Sequence, residues 1–305
     1  MDSFFFNITN TSYQVSYIYQ NQKEYIKRVD ISNGVVFYDI YLKNNNKQTF
    51  TIKNLDRMVI IPTIIEGNLD IFDNINLSKY NLKTNDISIF CSSKQNIDFK
   101  IKQSTTTNIF ILFISDFFLK RYISKQIDEP IDFLYNKIQY DNPLELVHTL
   151  CIDALSLYII DKILYNKDQR NMQSIRCEHN AIEFMIHRFS LIDFYNKDIS
   201  EDELYIAKKA KQYLLKNYIK SPTIHELAHI CSTNESKLKK VFKKVFNITI
   251  HGYVQKLKLE KANILLKDQI LNIGEIASKV GYKHQGYFSK IFYETYGIYP
   301  KDLLK

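Results

Sequence analysis

Apolar and polar positions follow two different periods along this chain, and the change falls near residue 116. Between 33 and 115, apolar, β-branched or aromatic runs are separated by Asn/Asp/Ser/Lys clusters. These are VVFYDIYL (35–42), TFTI (49–52), MVIIPTII (58–65), NLDIF (68–72), DISIF (86–90), IDFKI (97–101) and TNIFILFI (107–114). Several alternate apolar with polar, so each predicts a strand. Seven at this spacing predict a small antiparallel barrel or sandwich, a fold able to enclose a ligand at its mouth. From Asp116 the apolar spacing becomes three and four residues, predicting helices in 116–125, 143–166 and 174–193. The middle run carries Leu146, Leu150, Ala154, Leu157, Ile160 and Leu164, apolar enough for intramolecular core or for a dimer seam.

The segment 194–207 reads as a boundary. Ser200 followed by Glu203 is a capping-box pattern opening a helix through 217. We therefore expect one domain over 1–195, with strands to about 115 and helices to 193, and a second over 200–305. The second repeats itself. Ile224, Glu226, Leu227 and Ala228 return as Ile273, Glu275, Ile276 and Ala277, 49 positions on. Leu238, Phe242, Phe246 and Ile248 return as Phe288, Phe292, Tyr296 and Ile298, 50 positions on, and the extra residue falls at the turn. Each copy predicts helix, tight turn, helix. Ala228 and Ala277 let the paired helices approach. Gly281 supplies a left-handed turn, Gly297 ends the last helix, and Gly286 opens it on the outward side. Leu238, Phe242, Phe288 and Phe292 face inward, which turns a lysine-rich face outward. That is a helix-turn-helix arrangement, whose second helix enters the major groove. Residues 251–268 form a connecting helix of roughly 27 Å at about 1.5 Å per residue, against roughly 34 Å between successive groove faces.

Charge sharpens this picture. Residues 201–305 hold 19 lysines, no arginine and 10 acidic residues, a balance of +9. Residues 1–200 balance at −1, so the whole net charge of +8 comes from the last third. This asymmetry points to a polyanion partner, nucleic acid first. The cysteines 91, 151, 177 and 231 form no CxxC pair, which fits a reducing compartment. With no basic-then-apolar leader and no long apolar run, a cytoplasmic location is expected, with no membrane partner.

The motifs IHELA…SKLKKVFKKVF, VQKLKLEKANILLKD and IGEIASKVGYKHQGYFSKIFYETYGIYPKDL resemble the AraC/XylS family of bacterial transcription regulators over about 85 residues. The lead-in KAKQYLL…SPTIHELA and the stretch SKLKKVFKKVFNITIHGYV are similar to the pyochelin-type (PchR-like) branch, which responds to ferric siderophores. The resemblance implies an α+β chain: a cupin-like antiparallel β-barrel or sandwich with following helices, then an all-α domain of two helix-turn-helix units joined by a long helix. It implies an activator with double-stranded promoter DNA, RNA polymerase, a small-molecule effector and a second copy of itself (a homodimer) as partners. It places DNA contacts on Ser236, Lys237, Lys239, Lys240 and Lys243, and on Lys283, His284, Gln285, Tyr287 and Lys290. Ala228, Leu238, Phe242, Ala277, Gly281, Phe288, Phe292, Gly297 and Pro300 form the motif's frame. Gln is suited to adenine, and Lys to guanine O6/N7 or phosphate. Asn247 stands where the family's first copy has glycine. Leu303 and Leu304 stand where an aromatic–arginine pair is usual.

No catalytic constellation emerges, and no cofactor or metal is expected. His225 and His229 are not in HExxH order, Cys177 and His179 stand alone, and residues 1–115 contain no histidine. Two other readings stay open: an AraC-type regulator answering a different molecule or none, and a strand-rich binding protein or enzyme with a basic tail for RNA or an acidic surface.

Overall fold

The computed structural model describes residues 2–5, 12–21, 23–45, 48–102, 104–124, 129–139, 143–165, 172–192, 199–246 and 248–304. The chain divides into two compact units. One is Met1–Ile152 with Ile159–Ile192, and the other is Asp153–Tyr158 with Asp193–Lys305. The fold is α+β, an antiparallel sheet unit followed by a helical one.

In the first unit, ten strands form one sheet. They are β1 (Asp2–Phe5), β2 (Gln14–Asn21), β3 (Glu24–Ser32), β4 (Val35–Asn45), β5 (Gln48–Glu66), β6 (Asn68–Asp73), β7 (Lys79–Lys83), β8 (Asp86–Ile101), β9 (Ser104–Ser115) and β10 (Glu145–Cys151). The order is β2-β3-β4-β9-β5-β8-β6-β7, with β10 antiparallel on β8 and β1 parallel on β5. Alternation along each strand separates two faces. Tyr38, Ile40, Ile60, Ile71, Phe90, Phe99, Ile111 and Phe113 fill the inner one and are buried. Val29, Val35, Phe37 and Phe110 lie on the other, where Phe110 meets Phe184 at a ring distance of 5.9 Å.

Four expectations need correction. The runs 49–52 and 58–65 are one strand, β5, as 86–90 and 97–101 are one strand, β8. The polar residues between the runs of β5 sit at a register shift between Ile52 and Leu55 rather than at a turn. Strands also precede residue 33. Ser32 pairs with Val35 across the two-residue turn Asn33–Gly34, where Gly34 has φ +95°. Asn-Gly is a strong hairpin signal, and it marked β3 and β4 in the sequence.

The third correction concerns 143–166. Its first half is β10, paired with residues 86–91 of β8, and only Ala154–Leu164 is helix (α3). Leu146 and Leu150 therefore lie on a strand and Ala154–Leu164 on a helix, so the expected single apolar face does not form. Val147 and Thr149 are β-branched, and Thr149 Oγ1 lies 2.9 Å from Ser88 Oγ across the pair. The helix expected in 116–125 is only α1 (Asp116–Leu119) and a 3₁₀ turn over Lys120–Tyr122. A helix α2 (Pro130–Gln139) follows, and the run 174–193 forms α4 (Gln173–Phe189).

The second unit holds α5 (Glu201–Asn217), α6 (Ile224–Ile230), α7 (Glu235–Phe246), α8 (Ile250–Asp268), α9 (Ile273–Lys279) and α10 (Gln285–Tyr296), closed by a 3₁₀ turn over Pro300–Leu303. Ser200 accepts from the Glu203 N–H while Glu203 reaches back, so the expected capping box opens α5. Residues 194–198 of the expected boundary lie outside the described residues, as does Asn247.

Candidate nucleic-acid interface

The two repeats fold alike, down to their caps. Thr223 and Glu226 form a capping box at the start of α6, and Asn272 and Glu275 form one at the start of α9, 49 positions on. Past each first helix the chain turns through one left-handed residue: Ser232 at φ +54° in the first copy, Gly281 at φ +83° in the second. The next N–H closes each turn, Thr233 to the Ala228 carbonyl at 3.0 Å and Tyr282 to the Ala277 carbonyl at 2.9 Å. Gly281 has a second constraint: a Cβ there would lie 2.7 Å from the Ile219 carbonyl oxygen.

Packing then orients the second helix of each pair. Leu238 and Phe242 of α7, and Phe288 and Phe292 of α10, are fully buried, as is Leu227; Ala228 and Ala277 are nearly so. The helix α8, roughly 28 Å long at about 1.5 Å per residue, carries Tyr253, Val254 and Leu257 in the first cluster. It also buries Leu259, Ala262 and Leu266. Lys258 donates to the Gly281 carbonyl at 3.1 Å and lies 5.3 Å over the Tyr282 ring; burial lowers its pKa. Gly297 ends α10 at φ +71°, and Pro300 and Leu303 are buried beyond it. Leu303, one of the two leucines standing where the family has an aromatic–arginine pair, therefore contributes core.

With those residues inward, the opposite faces are exposed. Ser236, Lys237, Lys239, Lys240 and Lys243 all lie on the exposed part of α7. Lys283, His284, Gln285, Tyr287 and Lys290 are exposed at and along α10. The two sets are not equivalent chemically. Asn234 accepts from the Lys237 N–H at 2.8 Å and caps α7, whereas His284 makes no side-chain cap on α10. The first α10 N–H groups thus have no capping side chain at an end flanked by Lys283 and His284. A Cβ added at Gly286 would meet nothing within 4 Å. Gln285 leans back, its amide oxygen 3.1 Å from where a Gly274 Cβ would stand. Tyr287 is half exposed and packs its ring 6.0 Å from Tyr282, so it serves the motif as well as the surface. Lys239 pairs with Glu235 at 3.6 Å and Lys290 with Glu294 at 3.8 Å, both exposed pairs of small energetic weight.

Elsewhere, His225, His229 and His179 are exposed and Cys177 is buried. Among the described residues no group of three His, Cys, Asp or Glu is placed to hold a metal ion. No described helix is long and apolar enough to cross a membrane.

Residues 227–305 match the family model described as "Helix-turn-helix domain". The chain is 32% identical over 113 residues to the HTH-type transcriptional activator RhaR of Mannheimia succiniciproducens, covering 37% of this chain and 34% of that protein. It is 32% identical over 94 residues to the Xylose operon regulatory protein of Escherichia coli, covering 31% and 24%. It thus spans about a third or less of the length of these relatives. Among solved structures, ToxT from Vibrio cholerae aligns over 89% of this chain and 98% of its own at 14% identity, with a TM-score of 0.32. The two helix-turn-helix copies, with their turns and buried aromatics, run through the matched region: residues 227–305 are a helix-turn-helix domain of the AraC type, and its relatives are AraC/XylS-type transcription regulators.

Proposed function

We propose that the chain is a sequence-specific DNA-binding transcription regulator. In this reading the unit around 200–305 binds double-stranded promoter DNA, and the cupin-like unit around 1–195 senses a small molecule and dimerises. The observation that carries it is the pair of matched units, each presenting a helix whose buried face is aromatic or aliphatic and whose exposed face carries lysine, serine or glutamine. The charge of the last third adds a sequence-independent attraction to phosphate. Because the exposed cations are lysines, which lack the bidentate fork of arginine, more contacts fall on phosphate than on guanine. The base-reading share then rests on Gln285, Ser236 and Tyr287.

Activation through RNA polymerase, in a bacterial cytoplasm, is the mode that fits relatives named as activators. A ferric siderophore as effector rests on the resemblance of residues 209–254 alone.

The test is a gel shift of the full-length protein on a pool of duplex promoter fragments and on the matching single strands. Selective retention of a duplex subset, weakening steeply with salt, is the expected result. Equal affinity for single strands and RNA would replace this reading with that of a basic RNA-binding tail.

A further inference from the structure

The strand unit holds a cavity of about 460 Å3, and it does not lie in the sheet's interior. That interior is closed by Tyr38, Phe90, Phe99 and Phe113, none of them measurably exposed. The cavity lies on the outer face instead. Tyr17, Lys27, Val29 and Phe37 are all odd-numbered residues of β2, β3 and β4 and so project to one side of the sheet. The end of α3 and the start of α4 cover them with Ile163, Tyr165 and Cys177.

We propose that this cavity is the effector site, and that its occupant is a small aromatic molecule bearing one acidic group, an aromatic carboxylate being the type, rather than a polyhydroxylated sugar. The inference deepens the ligand-responsive reading above and rests on it. Its volume falls in the range of small-molecule sites, about 300–1,000 Å3. The floor is apolar: Val29, Phe37, Cys177 and Ile163 are each at most 4% exposed. Tyr13, Tyr17 and Tyr165 add rings at the sides, and aromatic partners prefer edge or offset contact with such rings.

Lys27 supplies the only cationic side chain of the described lining, which includes no carboxylate. Its ammonium pairs at 2.8 Å with Asp39, its cross-strand neighbour on the same face, which is 3% exposed. An ammonium has three N–H donors and that carboxylate takes one. Lys27 also acts electrostatically on the Cys177 thiol, which places its charge beside the cavity floor. An acidic occupant would extend the row Asp39–Lys27–anion with alternating signs, whereas a cationic one would face Lys27 as the charged group of the described lining. Burial, with Cys177 nearby, pushes the Tyr13 phenol up to about 12, so it stays a neutral hydrogen-bond donor. A sugar would need donors and acceptors on every side, whereas here the polar groups, Lys27, Gln173 and the tyrosine hydroxyls, stand around a floor whose Val29, Phe37 and Ile163 offer none.

The experiment uses the full-length protein and the dye 1-anilinonaphthalene-8-sulfonate, an aromatic acid that fluoresces when desolvated. One saturable site per chain is expected, displaced by 3-phenylpropionate or 4-hydroxybenzoate and not by L-rhamnose or D-xylose. Cys177→Phe fills the floor and should weaken dye binding at least about tenfold. Tyr17→Ala removes a half-exposed ring from a strand that keeps its backbone pairing, and should weaken it about threefold even if Cys177→Phe fails to fold. No saturable site, displacement by the sugars or by neither class, or unchanged affinity in Tyr17→Ala and in a folded Cys177→Phe would overturn the proposal. The dye readout needs no DNA. A protein that selects duplex DNA but fails here loses only this inference, and one that binds the dye but ignores duplex DNA loses only the regulatory reading.

Discussion

Gly281 and Gly297 both hold positive φ, at +83° and +71°, yet they should not cost the same to replace. At Gly297 a methyl group meets nothing within 4 Å, so Gly297→Ala carries only the left-handed penalty, about 1–2 kcal/mol. At Gly281 it also collides with the Ile219 carbonyl oxygen 2.7 Å away, backbone that cannot swing aside. Gly281→Ala should therefore destabilise the helical unit by about 3 kcal/mol or more, read as the larger drop in urea midpoint by circular dichroism. Asn263 is a second residue with a sharp expectation. It is buried on α8, its amide oxygen accepts the Leu155 N–H at 2.9 Å, and its amide N–H donates to Asp153 at 2.9 Å. Asn263→Ala strips a buried N–H and a buried carboxylate of that partner and should cost about 2 kcal/mol in the same assay. The Gly281 turn was legible because positive φ selects glycine and the repeat showed where the turn falls. Asn263 was not, because its partners are more than 100 positions away and helical periodicity does not say which polar residue faces inward.

At the scale of elements, the second helix of each repeat is where function and stability separate. Lys240→Ala and Lys290→Ala remove exposed charges from helices that alanine favours, so folding should persist while duplex affinity falls. Each lysine–phosphate pairing removed should lower the slope of log affinity against log salt by about 0.9. Two unchanged slopes would take α7 and α10 off the DNA. The helix starts carry a pH dependence of their own. A hydrogen bond from Lys244 chiefly holds the Glu203 carboxyl below its ordinary value of 4.5, and the Thr223 backbone N–H does the same for Glu226. Both shifts are depressions, so their stabilisation is complete above about pH 4.5 and is lost as pH falls through the lower folded value. Acid titration of the helical signal should show an early loss, reduced in Glu203→Gln. The internal repeat, the helical spacing of 251–268 and the Ser200–Glu203 capping box spelled out α5 to α10. β10 escaped because seven residues with both spacings present fit a strand or a helix equally well. Pairing with β8 chose the strand.

For the molecule as a whole, the four thiols offer a global check on burial. Cys151 is exposed, and Cys91, Cys177 and Cys231 are buried. Burial pushes Cys91 and Cys177 up to about 12, so both remain protonated, unreactive thiols near neutral pH. Iodoacetamide at pH 8 should therefore modify Cys151 first by mass spectrometry, and a bound aromatic acid should leave that order unchanged. The sequence by itself determined the helical third. A repeat with fixed apolar positions, a turn glycine and a one-sided charge leaves little choice when the contacts that set the motif are local or one repeat away. It also determined that a strand-rich part comes first. It did not determine where that part has room for a ligand. A barrel mouth was the expectation, but the inner face closed on its own aromatics. The space arose where β2, β3 and β4 meet α3 and α4, segments brought together from residues 13 to 177. Which of two alternating faces stays open depends on what packs across it, and only the tertiary structure decides that.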